Sequence, residues 1–342
     1  MPIQKQDVLA PQMAETETTE ELTLRPSHLT DFVGQEKLVD NLRVYVKAAL
    51  KRGSALDHVL LYGPPGLGKT TLAFILAEEM GKQITVAHAP AIEHKGQLSA
   101  LLTKLEPGDV LFIDEIHRLS SVVEENLYTA MEDFRIDIVQ GDGPMATAWT
   151  VNLSPFTLVG ATTRTGLLTA PMLSRFGIDA RLDYYEPAAL SRIVRRSSHI
   201  LDVSISDSAC DEIARRARGT PRIANRLLRR ARDFAEVLGD GKLDHEGAKN
   251  ALSRLEVDEA GLDELNRRFL RVIIEIYGGG PVGIEALAAT LSEPRDTLED
   301  VIEPFLLQQG FLARTARGRL ATDRAFAHLR IERTGKPQGQ LF

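Results

Sequence analysis

The sequence predicts three folded parts: an α/β domain built on a doubly wound parallel sheet, a small all-helical domain, and a C-terminal winged helix-turn-helix. Three observations carry this expectation. Short apolar runs alternate with helical patterns from 58 to 185, as they do where crossover helices join parallel strands. From Pro187 to Leu255 only helical patterns occur. After Leu262 come three helical patterns and then two short arms around a basic turn, the order of a winged helix-turn-helix.

The chain has 342 residues with a net charge of −7, which suits two or three domains and argues against a uniformly basic nucleic-acid binder. No apolar run approaches the ~20 residues of a membrane helix and no secretory signal opens the chain, so a cytoplasmic address and no membrane partner are expected. The lone Cys210 excludes an intramolecular disulfide and a cysteine zinc cluster.

Residues 1–22 carry Glu15, Glu17, Glu20 and Glu21 among threonines, with little to bury, and predict a disordered acidic tail. Leu24-Arg25-Pro26 and Asp31 to Gln35 then precede an amphipathic helix over Glu36 to Arg52. The stretch Leu24 to Val33 reads equally as a capped helix start or as an apolar lip beside a nucleotide base.

The next stretch organises the domain. Val59 to Tyr62 is a strand, Gly63-Pro-Pro-Gly-Leu-Gly-Lys-Thr70 follows at once, and Thr71 to Met80 is helical. Strand, G-x-x-x-x-G-K-T and helix form a phosphate-binding loop. Gly63, Gly66 and Gly68 let the backbone wrap a triphosphate, and the helix N-terminus at Thr70 and Thr71 adds unpaired donors. Lys69 is expected on the β- and γ-phosphates and the Thr70 hydroxyl on Mg²⁺.

Ile84 to Ala87 predicts a second strand and Ile92 to Leu105 a helix. Val110 to Ile113 is a buried strand delivering Asp114-Glu115 to its carboxyl end, which faces the ligand crevice in an open parallel sheet. Asp114 can hold Mg²⁺ and Glu115 can polarise the attacking water. His117 and Arg118 follow without an assigned role. Phe134 to Val139 and Met145 to Leu153 flank Gly141-Asp142-Gly143-Pro144, a hairpin signal. Period 2 puts Trp149 and Val151 on one face, suited to a partner. Thr157 to Ala161 is another buried strand, with Thr162 and Thr163 at its carboxyl end to orient water or touch a γ-phosphate. Arg181 to Tyr184 reads as a short last strand.

Four helical patterns follow, over Leu190 to Ser198, Asp207 to Arg218, Pro221 to Leu238 and Asp244 to Leu255. Gly219-Thr220-Pro221-Arg222 starts the third, where the Arg222 cation opposes the helix dipole unless a phosphate sits there. In the last part, Leu265 to Tyr277, Val282 to Leu291 and Arg295 to Gln309 are helical. Arg314, Arg317 and Arg319 surround the hairpin turn, with Arg324, Arg330, Arg333 and Lys336 beyond, a local positive surplus of the kind that contacts phosphate backbones. Arg295, Arg314, Arg317 and Arg319 are the candidate DNA-binding residues. No base-reading code is visible, so sequence-independent binding is expected.

Together, Gly63 to Thr70, Leu111-Phe-Ile-Asp-Glu-Ile-His-Arg118, Gly160-Ala-Thr-Thr-Arg164, Ser174-Arg-Phe-Gly177 and Gly219-Thr-Pro-Arg222 resemble the AAA+ ATPases. With Gln309 to Arg319 added, the chain resembles the RuvB family of branch-migration motors from about Leu24 to His328. The resemblance implies ATP as substrate, ADP as product, and Mg²⁺. It also implies Arg175 as an arginine finger acting on a neighbouring subunit, Arg222 as second sensor, and Thr163 (Thr162 less so) as first sensor. Leu24, Arg25, Tyr185 and Pro221 would surround the adenine. It further implies a homohexameric ring on duplex and four-way-junction DNA in recombination and repair. A RuvA-like partner would dock on Trp149 and Val151, and a RuvC-like resolvase would cut the junction. The expected divisions are a tail over 1–22, an ATPase domain over 23–185 with its hairpin at 134–153, a helical lid over 186–256 and a winged-helix head over 257–342. Two competing readings are a clamp-loader-like switch, which would end in a helical collar rather than a basic wing, and an ATP-sensing winged-helix regulator. The second needs a base-reading helix, but Arg295 to Gln309 offers Asp296, Glu299, Asp300 and Glu303 instead.

Overall fold

The computed structural model describes residues 19–140 and 147–333. The glutamates before Thr19, the Gly141 to Pro144 turn and Lys336 lie outside the described residues. The chain divides into two compact units, with the break between Asp183 and Tyr184. No helix among the described residues is long and apolar enough to cross a membrane.

The first unit contains strands β1 (Val59–Tyr62), β2 (Ile84–His88), β3 (Val110–Asp114), β4 (Arg135–Gln140), β5 (Thr147–Asn152), β6 (Thr157–Thr162) and β7 (Ile178–Arg181). Five of them form a sheet in the order β2-β3-β6-β1-β7, every neighbouring pair parallel. β6 is buried along its whole length, and β1 and β3 at all but their last residues. A parallel sheet covered on both faces requires such near-continuous apolar runs. The register pairs Tyr62 with Thr162 and Ile113 with Gly160, so the loops leaving β3, β6 and β1 open side by side at one edge. The expected strand at Arg181 to Tyr184 lies earlier, because β7 begins pairing with β1 at Val59 opposite Ile178. The helix expected from Ile92 starts at Lys95, where His94 and Gln97 form a capping box, and ends at Leu102.

β4 and β5 stand apart from this sheet as an antiparallel pair, from Arg135 opposite Asn152 to Gln140 opposite Thr147. Ile136 and Leu153 are buried in the unit's core and anchor the base of the hairpin. Another tie is His58, whose Nδ1 accepts the Leu158 N–H at 2.9 Å while Nε2 meets the Met131 carbonyl at 3.1 Å. Burial keeps its pKa below the ordinary histidine value, so the ring is held neutral and Nε2–H donates.

The second unit opens with helices Pro187–Ile200, Asp207–Arg216, Pro221–Leu238 and His245–Arg254. Ser206 and Asp244 cap two of them by accepting the N–H groups of Ala209 and Gly247. The winged-helix part follows. Glu264–Arg271 runs into a π turn at Val272–Ile276, Ile284–Leu291 is regular, and Arg295–Thr297 passes through a π turn at Leu298–Ile302 into Glu303–Gln308. The two expected single helices are thus each interrupted. In the last case Pro304 supplies the reason, since it lacks an N–H and its ring crowds the preceding turn. The wing pairs Leu312–Thr315 with Gly318–Ala321, and Val282 adds a bridge to Arg319.

Arg218 ties the helical part to the winged part. It is buried, reaches Asp263 at 3.0 Å and lies 6.0 Å from the Phe305 ring centroid. Burial works to raise the Asp263 carboxyl, but the Arg218 charge and two hydrogen bonds from Asn266 outweigh it, so its pKa lies below the ordinary value. A depressed carboxylate stabilises the fold fully above its unfolded pKa of ~3.9, and that contribution is lost as pH falls through the folded value. Asp263→Asn is therefore expected to cost about 3 kcal/mol near neutral pH by stranding a buried guanidinium. In thermal melts over a pH series, the gap between wild type and variant should be constant above about pH 4 and shrink below it.

Candidate functional site

The loop after β1 is shaped by what surrounds it. A Cβ on Gly63 would sit 2.3 Å from the Leu182 carbonyl oxygen, and φ there is +141°, so only glycine fits. Gly66 and Gly68 also have positive φ, and Gly68 is the N-cap of the helix Lys69–Met80. The first intrahelical bond comes from Leu72, whose N–H donates to Gly68. The N–H groups of Lys69, Thr70 and Thr71 thus belong to the turn that a helix cannot satisfy internally, a ready anion site.

Lys69 is only 7% exposed. Its Nζ donates to the Gly63 and Pro64 carbonyls, both at 2.8 Å. Burial pulls its pKa down to about 8, while the charges of Asp114 and Glu115 hold it up. The loop lysine and the acidic pair, far apart in sequence, therefore share one electrostatic site. Asp114 ends β3 and its Oδ1 accepts the Glu115 N–H at 2.9 Å. Thr70 and Thr71 are half-buried in the first helical turn. Hydroxyl and carboxylate oxygens are hard donors that suit Mg²⁺. Among the described residues no group of three histidine, cysteine or acidic side chains could hold a metal, so the ion would draw its other ligands from phosphate and water.

The two threonines differ in position. Thr162 is fully buried, its carbonyl accepts the Gly63 N–H at 3.3 Å, and its Oγ1 lies 2.9 Å from His117 Nδ1. Thr163 lies one residue past the strand and is half-buried. His117, left without a role by the sequence, turns its other nitrogen to Glu115, with Nε2 3.4 Å from Oε2. The signal for it was its place two residues after the acidic pair.

Arg175 follows the short helix Ala170–Leu173. Its guanidinium donates to Glu132 at 3.0 Å and to the Pro171 carbonyl at 2.7 Å, and lies 4.5 Å from the Tyr128 ring centroid. Leu24 is buried, and the Arg25 guanidinium sits 5.7 Å from the centroid of Phe74, a residue of the phosphate-loop helix. Leu24 and Arg25 therefore lie beside the helix that begins at Lys69.

In the second unit Tyr185 is buried and its N–H donates to the Gly219 carbonyl at 2.9 Å. Pro221 and an exposed Arg222 open the helix Pro221–Leu238. At the wing, Arg314 and Arg317 are exposed. Arg319 is not. It is 6% exposed, its Nε donates to Glu303 Oε1 at 2.6 Å and its Nη2 to Glu299 at 2.9 Å. Arg319, offered by the sequence as a DNA contact, thus turns its Nε and Nη2 to one buried and one half-buried carboxylate. Arg295 is exposed, but its guanidinium bonds Glu285 and Glu299. On the hairpin, Trp149 is 60% exposed, whereas Val151 packs against the unit's own core.

Three adjacent stretches match models of one family. Residues 24–182 match the Holliday junction DNA helicase RuvB P-loop domain, 185–258 the RuvB AAA lid domain and 259–330 the RuvB C-terminal winged helix domain. Among solved structures, the Thermotoga maritima RuvB Holliday junction branch migration motor is 50% identical and aligns with a TM-score of 0.84 over 91% of this chain and 99% of its own. A lysine-to-arginine variant of the Thermotoga maritima protein is 51% identical with a TM-score of 0.85, covering 90% of this chain and 99% of that one. With a phosphate loop, helical lid and basic wing in the same order, the chain belongs to the RuvB family of AAA+ Holliday junction branch migration helicases.

Proposed function

We propose that this branch-migration ATPase works as a homohexameric ring around duplex DNA, each ATP site completed by its neighbour, with a RuvA-type protein at the junction and a RuvC-type resolvase downstream. The observation that carries the reading is the buried Lys69 ammonium within electrostatic reach of Asp114 and Glu115, from two strands that flank β6 in the sheet.

Lys69 exchanges its two carbonyl partners for the β- and γ-phosphate oxygens, which also satisfy the N–H groups of the helix start. Glu115 orients and polarises the attacking water. Thr70 and Asp114 would hold Mg²⁺, which when bound would neutralise phosphate charge. In the first unit Thr163 senses the γ-phosphate, and Leu24 and Arg25 border the adenine. Arg175 serves the neighbouring subunit, and to reach it the guanidinium leaves Glu132. Trp149, exposed on a hairpin, is the partner-docking side chain, with Val151 two residues on in the same strand.

The finger is tested by mixing. Arg175→Ala is expected to bind ATP but lose hydrolysis by about 10³-fold or more. Combined with Lys69→Ala in mixed assemblies, it should regain activity, because one variant supplies the finger and the other the intact loop. No recovery in assemblies proven to be mixed would mean the finger acts within its own subunit.

At the wing, Arg314 and Arg317 carry sequence-independent phosphate contacts. Removing both should lower the slope of log K for duplex DNA against log salt by about 2. Arg319→Ala should instead cost about 3–5 kcal/mol of stability, since it leaves Glu303 buried and unpaired. A salt titration beside a thermal melt separates the two effects.

A further inference from the structure

Glu115 and His117 follow β3, Thr162 ends β6, and the three form a chain whose hydrogen-bond direction is set once Glu115 is ionised and His117 neutral. Glu115 is a non-glycine residue with φ +52°, capping the one-turn helix Ile116–Arg118. That turn carries the chain back over β6. It can approach because Gly160 has no side chain: a Cβ there would meet Ile116 Cδ1 at 2.9 Å and Phe176 Cζ at 3.0 Å. His117 is thereby pressed into the gap between Glu115 and Thr162, its side chain 6% exposed.

An ionised carboxylate can only accept, so the imidazole nitrogen facing Glu115 carries the hydrogen. In the neutral ring Nδ1 is then an acceptor and takes the Thr162 hydroxyl proton at 2.9 Å. The Thr162 oxygen in turn accepts the Arg164 N–H at 3.0 Å. The donors run one way, from the Arg164 backbone through Thr162 and His117 to the carboxylate. The His117–Glu115 separation of 3.4 Å is long for a hydrogen bond, as catalytic contacts often are before substrate tightens them.

We propose that His117 is a positioning residue for ATP hydrolysis: it fixes the rotamer of the Glu115 carboxylate, and Thr162 fixes the tautomer that lets it do so. This rests on Glu115 being the group that polarises water. It gives the buried threonine a task distinct from that of Thr163.

The test uses the full chain with Mg²⁺ and ATP. His117→Ala should lower kcat by about 10²-fold, the scale of a misplaced catalytic group, with KM for ATP unchanged. Thr162→Val, which keeps the shape but not the hydroxyl, should lower kcat in the same sense, and Thr162→Ser should restore it. The deciding measurement is non-additivity. In a Glu115→Gln background, His117→Ala should cost nothing further, because it acts only through that carboxylate. A further loss on combining them would overturn the proposal and make His117 a structural support. A His117→Ala enzyme with wild-type kcat, beside a strongly slowed Glu115→Gln, would overturn this inference alone. Normal turnover by Glu115→Gln would instead remove the base assignment beneath it. If His117→Ala fails to fold, the Thr162 pair decides: equal kcat in the Val and Ser variants refutes the proposal.

Discussion

A charged ammonium held almost out of water is the constraint on which the first unit depends. Lys69 keeps its proton because two loop carbonyls accept from it and because two carboxylates lie in range. Both conditions are set by the sheet. β1 lies between β6 and β7, so the loop leaving it is gripped at Gly63 by the Thr162 carbonyl on one side and by the backbone at Leu182 on the other. β3 lies just beyond β6 and presents Asp114 and Glu115 at the same edge. A triphosphate entering that loop meets donors already aimed, so little reorganisation is left for the moment of reaction.

The second unit separates buried, paired arginines from exposed ones. Arg218 and Arg319 are buried and paired with Asp263 and Glu303, while Arg314, Arg317 and Arg222 are exposed. Burying a guanidinium is costly unless its donors are met, so the paired ones hold elements together. Arg218 joins the lid to the winged part within one unit, only four residues before Arg222. Arg319 pins the wing to the helix that contains Glu299 and Glu303. The carboxylates that make this helix poor at reading DNA bases are the ones that hold the wing in place.

Much of this was legible in the chain. Glycines, lysine and threonine in one run between a strand and a helix specify a phosphate loop, since each residue type there answers a local backbone or charge requirement. The acidic pair was readable because four apolar residues stand before it. What was not legible depends on register. His117 and Thr162 lie 45 residues apart and meet only because β3 and β6 pair and Gly160 leaves room. Arg317 and Arg319 look alike in sequence, yet the hairpin turns one outward and the other into two carboxylates. Val151 similarly alternates correctly with Trp149 but lies low enough on the hairpin to join the core. The π turn before Pro304 interrupts a helix that periodicity alone reads as continuous.

The most direct measurement follows branch migration of a synthetic four-way junction together with phosphate release, with a RuvA-type partner present, for the wild-type chain and for Glu115→Gln. Wild type should move the junction and release phosphate with ATP, while the variant should bind ATP with wild-type affinity and do both only slowly. Junction movement by the variant at the wild-type rate would contradict the account, because the motor would then run without the carboxylate that the fold delivers to its phosphate site.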